Sequence, residues 1–344
     1  MRTSDFDYNL PETSIAQTPI EPRDASRLLV LHRDGGMLEH KTFREIGEYL
    51  HPNDLLVLNQ TRVIPARIYA RKPTGGRVEL LLLRREDEVT WQCLVGGKGI
   101  GAAAKVKVED GPQAEIIRVL NGSERLIRFA EPIEPYFPKI GSVPLPPYIH
   151  ETLKDPERYQ TVYAREPGSA AAPTAGLHFT PRLLEELQGQ GVKIAYVTLH
   201  VGLDTFAPVT EDNPQEHKIH TEWCELNQEA ANLINQTKQA GGRVIAVGTT
   251  SVRTLESAGS GNRESGPGSN LPVSAFMGPT SLYILPGHRF NVVDTMVTNF
   301  HLPKSTLILL VSAFAGREQI LSAYETAIRE GYRFYSFGDA MLIL

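Results

Sequence analysis

Apolar and polar positions follow two different rhythms along this chain, and the change comes just after Arg62. Before it, residues 27–31 are apolar, Phe43, Ile46 and Tyr49 recur at helical spacing, and residues 54–59 are apolar again, which predicts strand, helix, strand. From about residue 66 to 150 the runs become short. Those at 67–71, 77–83, 90–95, 104–108, 114–120 and 124–129 are β-rich, separated by Gly and Pro, and free of helical period, which predicts a small closed antiparallel sheet. The Pro-dense stretch 141–148 reads as a rigid exit from it. Helical and strand periods then alternate to the C-terminus. Thr180 is placed to cap a helix that starts at Pro181 and stops before Gly191 and a strand at 192–201. A helix at 228–239 leads through Gly241 and Gly242 to a strand at 244–248 that ends in Thr249, Thr250 and Ser251. A Gly- and Ser-rich stretch, 259–270, reads as a surface loop, and the final units read as strand 289–300, helices 304–330 and strand 332–335. The layout is one α/β domain, residues 1–65 and 151–344, split by an inserted all-β domain at 66–150.

Composition narrows the class. The chain has 344 residues, 41% of them hydrophobic, which is enough to bury a large core. With 35 Lys plus Arg against 40 Asp plus Glu the net charge is −5, so a nucleic-acid face has to be local. Residues 62–85 supply one: Arg62, Arg67, Arg71, Lys72, Arg77, Arg84 and Arg85 against Glu79 alone give a local +6, suited to phosphate contacts unless it is only a solvated strand face. Cys93 and Cys224 form no Cys-x-x-Cys pair, which argues against a disulfide scaffold or zinc ribbon and fits a reducing cytoplasm. Residues 1–11 lack the apolar core of a signal peptide, and the longest apolar run, 306–316, is about eleven residues, so no membrane association is expected.

Several clusters invite chemistry. Gly96, Gly97, Gly99 and Gly101 lie between two β-like runs and not before a helix, so a hairpin turn is expected and not a dinucleotide loop. His217 and His220, near Glu216, Glu222 and Cys224, match no common zinc spacing, and no metal is expected. More informative are polar residues at the ends of apolar strands: His178, His200 with Asp204, Asp294 with Asn299 and His301, and Asp339. Any one of these alone is most simply a satisfied structural group, but α/β domains bind ligands outside the carboxyl ends of their strands, and recurrence at four ends points to a site. The strand-to-helix turn at Thr249, Thr250 and Ser251, with Arg253 close by, offers N–H and hydroxyl groups to an anion, or is an ordinary helix cap.

Seven runs carry a resemblance: LNQTRVIPAR at 58–67, PLPPYI at 144–149, YQTVYA at 159–164, AAPTAGLHFT at 171–180, AVGTTSVRTLE at 246–256, TNFHLPKST at 298–306 and YRFYSFGDAM at 332–341. In that order, over nearly the whole chain, they resemble the S-adenosylmethionine:tRNA ribosyltransferase-isomerases of queuosine biosynthesis. Asp204 stands where that family carries Gly, which removes it from the general catalytic groups.

The resemblance implies a split α/β barrel-like main domain with an inserted small antiparallel β-barrel. It also implies an enzyme that moves the ribosyl part of S-adenosylmethionine onto 7-aminomethyl-7-deazaguanine at the tRNA wobble position and isomerises it. The products are epoxyqueuosine-tRNA, adenine and methionine. S-adenosylmethionine is then a co-substrate and no cofactor is expected; the protein is expected to be a cytoplasmic monomer. Such chemistry needs a base near the acidified ribose C5′, a donor for departing adenine and an acceptor for the amine proton. The candidates are His178, His301, Asp294 and Asp339, with the choice of C5′ base left open. Thr174, Gly248, Thr249, Thr250, Ser251, Arg253 and Asn299 are the candidates for holding S-adenosylmethionine, and Arg62, Arg67, Arg71, Lys72 and Arg77 those for tRNA. Two other classes are compatible with parts of the pattern: a non-catalytic tRNA-binding module, which has no use for polar groups at four strand ends, and a metallohydrolase using His217 and His220.

Overall fold

The computed structural model describes residues 1–97, 99–120, 122–202, 208–260 and 272–344, so Asp204 and nearly all of the Gly- and Ser-rich stretch lie outside the described residues. It divides into two compact units: Met1–Thr61, Pro147–Glu166 and Ala172–Leu344 form the first, Arg62–Pro146 and Pro167–Ala171 the second.

The first unit opens with β1 (Arg27–Leu31), β2 (Leu38–Thr42) and β3 (Leu55–Asn59), and β4 (Thr61–Val63) carries the chain onward. The second unit contains β5 (Arg67–Arg71), β6 (Arg77–Arg85), β7 (Thr90–Gly96), β8 (Lys105–Val108), β9 (Gln113–Val119) and β10 (Glu124–Phe129), followed by the one-turn helix α1 (Phe137–Ile140). These six strands close as an antiparallel barrel in the order β10-β7-β6-β5-β8-β9, the inserted barrel expected from the turn-punctuated β runs. Their alternation explains the closure. In β5 Ile68 and Ala70, and in β8 Val106 and Val108, are buried, while every second residue faces solvent.

After β11 (Glu166–Ser169) come α2 (Pro181–Gly189), β12 (Lys193–Leu199), β13 (Glu222–Leu226), α3 (Gln228–Gln239), β14 (Val244–Val247), α4 (Thr249–Ser260), β15 (Phe276–Thr280), β16 (Thr295–Asn299), α5 (Thr306–Ala315), α6 (Arg317–Arg329) and β17 (Ala340–Ile343). The large sheet of the first unit has the order β15-β13-β12-β3-β14-β16-β17-β1-β2. Parallel pairs join β12, β3, β14 and β16 in its middle, and β16 and β17 are antiparallel. Both faces of the central strands are buried. Leu29, Leu55, Val57 and Ala246 pack with Ile234, Leu255, Leu309 and Tyr324 from the helices on one side, while Leu28, Leu56, Leu58 and Val247 pack with Phe43, Phe179, Leu183 and Leu187 on the other. Burial on two faces is why these strands read as unbroken apolar runs.

Two expectations are corrected here. The strand expected at 289–300 pairs only over Thr295–Asn299, because the N–H groups of Asn291, Val292 and Val293 donate to the buried Glu256 carboxylate of α4. No strand forms at 332–335, where Phe334 N–H donates to Ser14 and Tyr335 has a φ of 69°; the last strand is β17. The helices expected at 304–330 are α5 and α6, parted at Gly316 with a φ of 89°. No single helix among the described residues is long and apolar enough to cross a membrane.

Candidate active site

Register decides which polar groups of the first unit meet. Val247 of β14 lies opposite Val297 of β16, and Asn299 of β16 lies opposite Ala340 of β17. The ends of β14 and β16 and the start of β17 therefore share one sheet edge. At that edge a cleft of about 620 Å³, open to solvent, is lined among others by Thr174, Gly248, Thr249, Thr250, Asn299 and His301. Gly248 turns the chain from β14 into α4 with a φ of 86°, a conformation that suits only glycine, and so brings the first N–H groups of α4 to the cleft. Within that turn the Thr250 hydroxyl is buried and has no hydrogen-bond partner among the described residues.

Asn299 is the hub. Its Oδ1 accepts from Thr174 Oγ1 at 2.8 Å, and its Nδ2 donates to His178 Nε2 and to the Tyr335 carbonyl, each at 3.2 Å. Since Nε2 accepts, His178 carries its proton on Nδ1 and donates it to Ser26 Oγ at 2.7 Å. The ring is stacked on Phe43 with centroids 5.0 Å apart, and burial, with Arg333 and Arg23 nearby, drives its pKa down to about 3. Both ring nitrogens are thus engaged by the fold. His178 is not among the residues lining this cleft; it lines a separate small hollow with Arg23, Ser336 and Phe337.

His301 is held differently. Its backbone is fixed by N–H donation to Tyr324 OH and by Tyr8 OH donating to its carbonyl. Nε2 lies 2.7 Å from Thr298 Oγ1, a hydroxyl also 3.3 Å from the Asn299 carbonyl; with the hydroxyl hydrogen given to that carbonyl, Nε2–H donates and Nδ1 keeps its lone pair. Nδ1 has no partner among the described residues, and burial holds the ring neutral by lowering its pKa to about 3.

Other candidates fall elsewhere. Asp294 stands at the opposite end of β16, where it binds Lys238 Nζ at 2.6 Å and caps the start of β14 by accepting from Val244 N–H at 2.7 Å. Asp339 precedes β17 instead of following the last strand; antiparallel pairing with β16 puts it near Asn299 all the same. Its two oxygens accept from the Arg27 and Arg333 N–H groups at 2.9 and 2.8 Å, and burial outweighs these donors in raising its pKa. Ser251 Oγ donates back to the Val247 carbonyl. Arg253 turns into a neighbouring hollow, where it pairs with Glu222. His200 stacks on Trp223 with its Nδ1 on Thr61 Oγ1, and His217 Nδ1 lies 2.9 Å from Glu211. Among the described residues no three His, Cys, Asp or Glu converge as a metal site.

Sequence reasoning passed over Tyr148 and Tyr335. Their rings line the cleft with centroids 4.7 Å apart, Tyr148 OH is 2.8 Å from Ser336 Oγ, and burial keeps both phenols protonated by raising their pKa values. The signal was present, since both lie inside runs that carried the resemblance.

In the barrel unit the positive charge is partly neutralised. Arg67 pairs with Glu79, while Arg71 and Arg77 share Glu109 at 3.0 and 3.1 Å, and Arg77 also sits over the Tyr69 ring. Arg62 has partners of its own within the fold. The surplus gathers elsewhere: one groove is lined by Arg71, Lys72, Lys105, Lys107 and Arg128 with Glu115 as the only acidic residue among its described lining.

The model of a family described as queuosine biosynthesis protein matches residues 3–343. Proteins named S-adenosylmethionine:tRNA ribosyltransferase-isomerase from Moorella thermoacetica and Acetivibrio thermocellus are 54% and 53% identical to this chain, covering all of both chains in each case. A crystal structure of S-adenosylmethionine tRNA ribosyltransferase from Thermotoga maritima is 40% identical, covers 99% of this chain and 100% of its own, and superimposes with a TM-score of 0.57.

Proposed function

Because the chain belongs to the queuosine biosynthesis family, we propose that it catalyses the reaction for which its relatives are named, transfer of the ribosyl group of S-adenosylmethionine to tRNA with isomerisation. The acceptor is 7-aminomethyl-7-deazaguanine at the wobble position and the products are epoxyqueuosine-tRNA, adenine and methionine. S-adenosylmethionine is consumed as a co-substrate, and a cytoplasmic enzyme is the reading that a tRNA substrate supports.

The observation that carries this reading is the cleft at the shared edge of β14, β16 and β17, where a neutral histidine, a hydroxyl without a partner among the described residues and the first N–H groups of α4 meet. Base removal of a C5′ proton next to the sulfonium leaves an ylide, whose electron pair forms a C5′–C1′ bond as the glycosidic bond breaks and adenine leaves, taking up a proton. The aminomethyl nitrogen then bonds to C1′ as the C1′–O4′ bond breaks, its proton leaves to a base, and the freed O4′ alkoxide closes the epoxide on C5′, displacing methionine. His301 Nδ1 takes the C5′ proton, because it is the histidine nitrogen of the cleft that the fold leaves without a partner among the described residues. Burial makes protonated His301 costly, so the ring is neutral at neutral pH, a weak base that returns its proton readily, to the departing adenine. Tyr148 and Tyr335 offer stacking surfaces to the purine, and Thr174, oriented by Asn299, holds the ribose. Asn299, His178 and Asp339 act by positioning. The basic groove of the barrel contacts tRNA phosphates through Arg71, Lys72, Lys105, Lys107 and Arg128.

The test is product analysis without added metal. Adenine and methionine are expected in equal amounts, one of each per modified tRNA. S-adenosylhomocysteine in their place means methyl transfer and overturns the reading.

A further inference from the structure

Beside the cleft lies a second, smaller hollow in the same unit, and Leu307 lines both. Leu282, Ile284 and Leu310 make its walls apolar, yet Arg253 and Glu222 are set into it, only 6% and 7% exposed. Arg253 comes from α4 three residues after Thr250, so the two side chains are neighbours on one helix face. The guanidinium is anchored by Nη1 donating to Glu222 and by Nε donating to the Leu282 carbonyl at 3.1 Å, while Glu222 also accepts from Gly202 N–H at 2.9 Å. Its remaining nitrogen, Nη2, is buried and has no hydrogen-bond partner among the described residues. A buried, fixed donor left empty costs free energy that a ligand acceptor restores.

We infer that this hollow is the subsite for an α-amino-acid head group, with Arg253 Nη2 donating to the α-carboxylate. The inference rests on the proposed use of S-adenosylmethionine, whose methionyl arm extends from the ribose held in the adjoining cleft. Charge selects the class of ligand. Glu222 neutralises Arg253, so a simple anion meets a pair with no net charge, whereas a zwitterion sets its carboxylate against the arginine and leaves its ammonium near the glutamate. The apolar walls suit an unbranched thioether or sulfonium side chain. This moves the anion contact from the Thr249–Thr250 turn to the next turn of α4 and gives a buried arginine, idle in the chemistry, the task of holding the group that leaves last.

The experiment compares two ligands by calorimetry, S-adenosylmethionine and its decarboxylated analogue, on wild type and on Arg253→Lys. Lysine keeps a cation for Glu222 and removes the second nitrogen. Wild type is expected to prefer S-adenosylmethionine by about 10- to 100-fold, the range of one charge-assisted hydrogen bond, and Arg253→Lys to reduce that preference to about threefold or less. Equal wild-type affinity for the two ligands overturns the subsite, whether or not the variant folds, and leaves the proposed reaction standing. A folded variant with the full preference also overturns it. Wild type that binds neither ligand, and releases no adenine with tRNA, overturns the reading beneath.

Discussion

Asn299→Asp is a one-atom test of how the cleft is held. The change is nearly isosteric and keeps the Oδ1 acceptor for Thr174, but it replaces the Nδ2 donor with an oxygen facing His178 Nε2 and the Tyr335 carbonyl, both now 3.2 Å away. Two donated bonds are lost, at roughly 1 kcal/mol net each, and two buried acceptors are left facing a third. A loss of about 2–4 kcal/mol at pH 8 follows, which for a domain of this size lowers Tm by roughly 5–15 °C. The new carboxylate also favours protonated His178, whose pKa the fold otherwise holds near 3, so the defect is expected to shrink as pH falls from 8 to 6. Turnover is expected to drop by about 10- to 100-fold, because Thr174 keeps its partner but the hub that orients it has shifted. Thermal unfolding by circular dichroism at both pH values, with adenine release as the activity, reads all three effects. A Tm within 2 °C of wild type at pH 8, together with turnover within threefold, refutes the claim that Asn299 organises this edge.

Three further outcomes are expected. His301→Ala lowers single-turnover adenine release by about 10²-fold or more with S-adenosylmethionine affinity within a few-fold of wild type, because the lost group acts on the proton and not on binding. His178 and His301 bind a proton near pH 3 when folded and near 6.5 when unfolded, so the unfolded chain holds more protons between those values. Stability therefore falls as pH drops below about 6.5, by up to about 1.4 kcal/mol per unit per histidine, and is flat above it; urea titrations of His301→Gln between pH 7 and 5 are expected to show a slope shallower by about one proton. Exchanging Lys105 and Lys107 for Gln weakens tRNA binding and flattens the slope of log K against log salt by about one to two units, leaving S-adenosylmethionine affinity unchanged.

The fold was legible wherever a local period reports burial. The six barrel strands and the strands β1, β3 and β14 could be placed because their apolar residues either alternate or run unbroken, and α2 because Thr180 does cap it, accepting from Leu183 N–H at 3.1 Å. Strands β13, β15 and β17 were missed. The first two pair at one margin of the sheet, where β13 alternates buried with half-buried side chains and β15 buries only Thr280, and β17 is only four residues long. Site residues divided by a similar logic. Thr174, Thr250, Asn299 and His301 could be nominated from motif and strand end, but Asp294 went to the wrong end of β16 because the reach of that strand depends on a contact, Glu256 to the N–H groups of residues 291–293, that no local period encodes. The basic segment divides in the fold, as alternation along its strands allows. Seven cations close in sequence looked like one patch, whereas Glu109 from beyond the segment neutralises Arg71 and Arg77, and the groove gains Lys105, Lys107 and Arg128 from other strands.

The most direct test of the central claim is mass analysis of the wobble nucleoside after tRNA carrying 7-aminomethyl-7-deazaguanine is incubated with S-adenosylmethionine and either wild type or His301→Ala. The account predicts that wild type converts the base to the epoxycyclopentane product of ribosyl transfer and that His301→Ala leaves almost all of it unchanged in the same time. An unchanged or merely methylated nucleoside with wild type, or equal conversion by the two proteins, contradicts it.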